Sequence, residues 1–143
     1  MPPPKSGHQK IQDRLSTLLK SLLGGAYAVR VEMAFQPAPE YEVWVADVGC
    51  VSQRRDDETA PDEYLMGAPE IVIEVLSPSN TVDEISDKMA ICMENGCRSF
   101  WTVDPKRRVI SVTHGATTTH YVVAETILIA EPAVELLVQE VFA

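Results

Sequence analysis

Two spacings of apolar residues organise this chain. Ile11, Leu15, Leu18, Leu19, Leu22 and Leu23 recur at helical intervals, which predicts a helix from Ser6 to about Leu23. Ser6 with Gln9 has the capping-box form, and Gly24-Gly25 stops the helix. A second helix is predicted to end near Asn95, with Gly96 just past it. Thr81-Val82-Asp83-Glu84 is its capping box, and its apolar stripe is Val82, Ile85, Met89, Cys92 and Met93. Lys88 falls at the border of that stripe.

The strand spacing covers residues 26–34, 42–51, 70–76, 98–104, 109–114 and 118–124. In the second of these, strict alternation puts Val43, Val45, Asp47 and Gly49 on one face, and Trp44, Ala46, Val48 and Cys50 on the other. The third is an apolar, β-branched run between Pro69 and Pro78, which predicts a strand buried on both faces. Residues 53–66 are polar and acidic and predict a mobile surface loop. Beyond Pro132, Leu136, Leu137, Val138, Val141 and Phe142 make an apolar tail able to dock on the body. The predicted fold is α/β: a central mixed sheet flanked by two helices, with a C-terminal antiparallel hairpin or meander, in a single domain spanning residues 1–143.

Composition narrows the class. Hydrophobic residues make up 45% and charged residues 23% of 143 positions, enough for one sizeable core. No apolar run reaches membrane-spanning length, and the first residues show no secretory signal pattern. Cys50, Cys92 and Cys97 form no CxxC pair, which suits reduced thiols in a cytoplasmic protein. The formal net charge of −9 weighs against a large nucleic-acid surface but leaves room for a local basic groove.

Glu74 stands in the middle of the buried run, where an ionised carboxylate needs a partner or a bound cation. Asp47 stands in the preceding strand, Lys88 on the following helix. Each has an ordinary reading: Glu74 paired to a buried Arg or Lys, Asp47 capping a turn, Lys88 paired with Glu84 one turn earlier. Together they permit another. Two converging carboxylates suit Mg²⁺ or Mn²⁺, and a nearby ammonium can orient a water or stabilise charge on a phosphoryl transition state.

One resemblance weighs between these readings. The strings Gly67-Ala68-Pro69-Glu70-Ile71-Val72-Ile73-Glu74-Val75-Leu76-Ser77-Pro78-Ser79, then Asp87-Lys88, then Gly96, then Phe100-Trp101-Thr102-Val103-Asp104-Pro105 resemble the Uma-two family of restriction endonucleases, a branch of the PD-(D/E)XK nuclease superfamily. Ser6-Gly7-His8, Ala46-Asp47-Val48 and the Leu-rich tail extend the likeness over nearly the whole chain. The resemblance implies a restriction-endonuclease-like fold and a metal-dependent endonuclease acting on DNA. Asp47 and Glu74 match its metal-binding acids, with the Val75 carbonyl as a further ligand of Mg²⁺ or Mn²⁺. The superfamily's lysine usually lies two residues after the second acid, where this chain has Leu76; Lys88 takes the alternative place on the next helix. His8 matches a histidine near the start of the first helix. Val45-Ala46 replaces the family's Arg-Pro, Cys92 replaces a tyrosine, and the family's N-terminal strand pair with its further acid is absent ahead of the Pro-rich start.

Arg54, Arg55 and Lys10 are the candidate contacts to a substrate backbone; for Arg54-Arg55 the ordinary reading is a charge pair with Asp56 or Asp57. Lys106-Arg107-Arg108 reads as a solvated hairpin turn that can also touch phosphate. Trp44, Phe100 and Trp101 read as core. Cutting two strands suggests a homodimer, with the apolar tail as an interface. Two other functions stay open: a catalytically silent binding or assembly module, and a small phosphoester hydrolase using the same acids.

Overall fold

The computed structural model describes residues 5–130 and 133–143. The extended Pro-rich start expected for residues 1–4 lies outside the described residues. Helix α1 (Ser6–Leu23) opens the fold. Lys5, not Ser6, is its N-cap, and no side chain caps it. The capping box is therefore not formed, and Ser6 is already helical. A short 3₁₀ turn (Gly24–Ala26), with Gly24 in the left-handed region at φ 58°, leads into β1 (Tyr27–Gln36). Strands β2 (Trp44–Ser52), β3 (Leu65–Met66), β4 (Ile71–Val75), β5 (Ser99–Asp104), β6 (Val109–His114) and β7 (Thr117–Tyr121) complete a mixed sheet in the order β3-β1-β2-β4-β5-β6-β7. Helix α3 (Val82–Glu94) joins β4 to β5, and these two strands are parallel, as a crossover requires.

The predicted α/β architecture is the observed one. A buried cluster with α1 takes Ile71, Ile73 and Val75 from β4 and Trp101 and Val103 from β5. A second cluster takes Val72 and Phe100, with Ile85, Met89, Cys92 and Met93 of α3. Val72 and Glu74 share a strand face by alternation, so Glu74 faces the α3 side. Val82, assigned to the α3 stripe from spacing, is 85% exposed: it is the first helical residue and precedes the packed stretch.

Residues 53–66 are not a structureless loop. They form helix α2 (Gln53–Glu58) and the short β3, which pairs in parallel with the end of β1. Ser52 caps α2, its Oγ accepting from Arg55 N. The charges that looked solvated are paired: the Arg30 guanidinium donates twice to Asp56, at 2.7 and 3.0 Å, and Arg55 reaches Glu70 at 2.6 Å. The apolar tail forms a hairpin, β8 (Thr126–Ile129) and β9 (Val134–Leu137), and a last helix α4 (Val138–Phe142). Leu136, Val138 and Val141 are buried in the α1 cluster. The tail docks on the body through these three residues, as its apolar pattern predicts, while Leu137 and Phe142 stay half-buried. No helix among the described residues is long and apolar enough to cross a membrane.

Strict alternation fails in β2. Val48 and Cys50 pack with the α1 cluster, while Ala46 and Trp44 pack with the α3 cluster. The same change of side occurs on β1, between Val29 and Met33. Glu32, with φ 52°, sits at that point, and pairing along β1 and β2 runs from Val31–Val48 to Met33–Ala46, skipping Glu32 and Asp47. The left-handed residue turns the strand, and Asp47 lies opposite the break.

Candidate active site

Asp47 is released on both sides. The β2–β4 ladder pairs Cys50 with Ile71, Gly49 with Val72 and Val48 with Ile73, then stops. The next positions outward are Asp47 and Glu74. Their main chains do not pair with each other; their side chains fill the gap. Asp47 N donates to Glu74 Oε2 at 3.0 Å, and Val75 N donates to Asp47 Oδ2 at 2.8 Å. Each carboxylate therefore satisfies a main-chain N–H of the other strand, which a regular ladder would have paired.

The other partners converge from two helices. Lys88 Nζ, on α3, donates to Glu74 Oε1 at 2.5 Å and to the Val45 carbonyl at 2.7 Å. An ammonium has three donors, so one N–H remains for a further acceptor. From α1, His8 Nε2 lies 3.0 Å from the Val75 carbonyl and 3.4 Å from Asp47 Oδ2. A carbonyl only accepts, so Nε2 carries the proton, and Nδ1 is buried with no hydrogen-bond partner among the described residues. Lys88 thus pairs with Glu74 and not with Glu84, the partner expected from helix spacing alone.

Burial raises the Glu74 carboxyl above its ordinary value; Lys88 pulls it back and Asp47 pushes it further up. Two carboxylates against one ammonium leave a net negative charge at the cluster. The Asp47 side chain is 26% exposed and that of Lys88 21%, so the cluster opens to solvent.

Hard oxygen donors and an uncompensated negative charge fit Mg²⁺ or Mn²⁺, with Asp47, Glu74 and the Val75 carbonyl as ligands. No group of three or more His, Cys, Asp or Glu side chains able to hold a metal ion occurs among the described residues.

The remaining sequence candidates lie apart. Ser52 N and Arg55 both bond Glu70, at the opposite end of β4 from Glu74, four residues or about 13 Å away. Arg55 also holds the carbonyls of Ala68 and Met66, and so ties α2 to the chain before β4. Its partner is Glu70, not Asp56 or Asp57. Arg54 pairs with Glu58 on the same helix at 3.6 Å. Lys10 is exposed on α1.

One residue escaped the sequence reading. Gln12 is 2% exposed, and its Nε2 donates to the Asp47 carbonyl at 3.3 Å. It lies one turn after His8, on the same face. A polar side chain between Ile11 and Leu15 on a core stripe was its only signal.

The Uma2 (Uma-two) family model, described as "Putative restriction endonuclease", matches residues 1–142. The chain belongs to this family. A crystal structure from Anabaena variabilis ATCC 29413, described as "a putative nuclease belonging to DUF820", superposes with a TM-score of 0.84 at 18% identity, over 99% of this chain and 83% of that one. It shares the fold of this Uma-two member. A cryo-EM structure of a DrdV–DNA complex matches 80% of this chain and 12% of that one, at 14% identity and a TM-score of 0.47, a likeness too weak to bear on fold or function. No curated protein matches the chain.

Proposed function

We propose that this Uma-two protein is a metal-dependent endonuclease that hydrolyses DNA phosphodiester bonds, with its centre at Asp47, Glu74 and Lys88. One observation carries the reading: in a chain of this family, the two acids and the lysine meet where β2 and β4 part, with an unmatched negative charge open to solvent. The solvent-facing position suits a polymer better than a small phosphoester. A cavity of about 500 Å³ does exist, between the sheet and the β8–β9 hairpin, but none of Asp47, Glu74, Lys88 or His8 lines it.

The roles follow from the contacts. Asp47, Glu74 and the Val75 carbonyl would hold a divalent cation, which when bound would neutralise charge at the phosphate and acidify water. Lys88 holds Glu74 by one N–H and the Val45 carbonyl by another; its third orients the attacking water or a phosphate oxygen. His8 fixes the Val75 carbonyl and Asp47 Oδ2 relative to each other. Gln12 steadies the Asp47 main chain that the broken ladder has released. Water oxygen attacks phosphorus, the bond to one ester oxygen breaks, and that oxygen takes a proton, leaving a phosphomonoester and an alcohol. Two-strand cleavage then needs two copies or two visits.

The test is supercoiled plasmid incubated with Mg²⁺ or Mn²⁺ and wild type, Asp47→Asn or Lys88→Ala. Nicking by wild type, lost in both variants and on chelation, supports the reading. Equal nicking by all three proteins refutes it.

A further inference from the structure

The nuclease reading leaves one motif unused. Strands β4 and β5 run parallel, with Val75 opposite Val103, and Leu76 N donates to the Val103 carbonyl at 2.8 Å. The end of β5 therefore lies at the same sheet edge as the Asp47–Glu74 centre. The turn into β6 projects from that edge. With neighbouring strands about 4.8 Å apart and a rise of about 3.3 Å per residue, it begins roughly 10 Å from Val75.

This turn holds Lys106, Arg107 and Arg108, all exposed, in a chain where 21 acidic residues outnumber 12 basic ones. Four of the other cations are committed: Arg30 to Asp56, Arg54 to Glu58, Arg55 to Glu70 and Lys88 to Glu74. Among the described residues, no ion pair engages Lys106 or Arg108, and Arg107 has only a 4.0 Å contact with Asp104 while its side chain is 82% exposed.

The turn is also built. Asp104 Oδ1 accepts from Lys106 N at 3.0 Å and Arg107 N at 3.1 Å, and Arg108 N donates to the Asp104 carbonyl at 2.8 Å. Arg108 is held at φ 57°. The next turn, between β6 and β7, puts Gly115 at φ 60°. A side chain in that region carries a steric cost that glycine avoids. The fold keeps a cation where glycine would be easier, and strain of this kind points to use.

We propose that the β5–β6 turn grips the DNA backbone, with Lys106 and Arg108 holding phosphates that flank the bond cut at the Asp47–Glu74 centre. This rests on the nuclease reading and adds its substrate contact. It also accounts for DNA binding by an acidic protein: the cations needed are few and stand at one edge.

The test is fluorescence anisotropy of a labelled duplex oligonucleotide across a salt series, with parallel plasmid cleavage in Mn²⁺. The proteins are wild type, Lys106→Ala, the double variant Lys106→Ala/Arg108→Gly, and Lys20→Ala as a control at the far end of α1. Glycine at 108 removes charge and strain together, so the melting temperature does not fall on that account. The double variant is expected to bind more weakly on every sequence, with the salt slope reduced by about 2, and to cleave with raised KM and unchanged kcat. Lys106→Ala shows about half that loss of slope, and Lys20→Ala shows none. If wild type binds and cuts DNA while the double variant keeps its affinity and slope, the grip is wrong and the nuclease reading stands. If wild type neither binds nor cuts DNA, both fail.

Discussion

Asp47 and Glu74 each close the gap left by the other. Asp47 N donates to the Glu74 carboxylate, and the N–H next to Glu74, on Val75, donates to the Asp47 carboxylate. The acids are thus part of the sheet as well as a candidate centre. Replacing either affects two strands, so stability must be measured beside activity.

Glu74 is expected to be a net burden on folding at neutral pH. Its carboxyl is held above the ordinary value of 4.5, chiefly by burial. A carboxyl whose folded value is raised contributes stability below its unfolded value and loses it as pH rises through the folded one. Glu74→Gln keeps the hydrogen-bond acceptor and removes the charge. Without metal, its melting temperature should equal or exceed wild type at pH 7, and the advantage should vanish below pH 4.5. A large drop at pH 7 would show that the Lys88 pairing outweighs burial.

Removing Lys88 alone leaves Glu74 buried and unpaired. Lys88→Met should cost about 2–3 kcal/mol in chemical denaturation at neutral pH, less than the ~3–5 kcal/mol for half of a fully buried pair because the Lys88 side chain is 21% exposed. The double variant Lys88→Met/Glu74→Gln should regain most of that loss while remaining inactive on plasmid. Additive costs in the double-mutant cycle would contradict the pairing.

Arg55 is expected to matter for stability and not for the centre. Its guanidinium holds Glu70 and two carbonyls at the far end of β4. Arg55→Ala should lose about 2 kcal/mol through these stranded acceptors and loosen α2 and β3, read as faster amide exchange there. The per-molecule cleavage rate of the folded fraction should stay at the wild-type level.

Burial pushes all three thiols, Cys50, Cys92 and Cys97, up to about 12. The native protein should therefore resist thiol labelling at pH 8, where the thiolate is the reactive form, and should release three reactive thiols on denaturation. Rapid labelling of Cys92 in the folded state would mean that α3 opens beside Lys88.

Much of this arrangement is written locally in the chain. Helical spacing marks α1 and α3, and Glu74 betrays itself as a charge inside an apolar run. What escaped depends on partners distant in sequence. The charges of residues 53–58 look solvated until Arg30 and Glu70 fold against them. The turn of β2 at Asp47 lies opposite Glu32 on the neighbouring strand, and nothing in the letters around Glu32 announces a left-handed residue. Helix spacing offers Lys88 the neighbouring Glu84, while the fold brings Glu74 of β4 to 2.5 Å from its ammonium, a contact that only the long-range packing of α3 on the sheet creates.

The central claim is that Asp47 and Glu74 form a cation site. Its most direct test is calorimetric titration of Mg²⁺ and Mn²⁺ into the wild type and into Glu74→Gln, with both proteins shown to be folded. The account predicts saturable binding to the wild type and its loss in the variant. Identical binding in both, or none by the wild type at millimolar metal, would contradict it and leave Glu74 a structural acid held by Lys88.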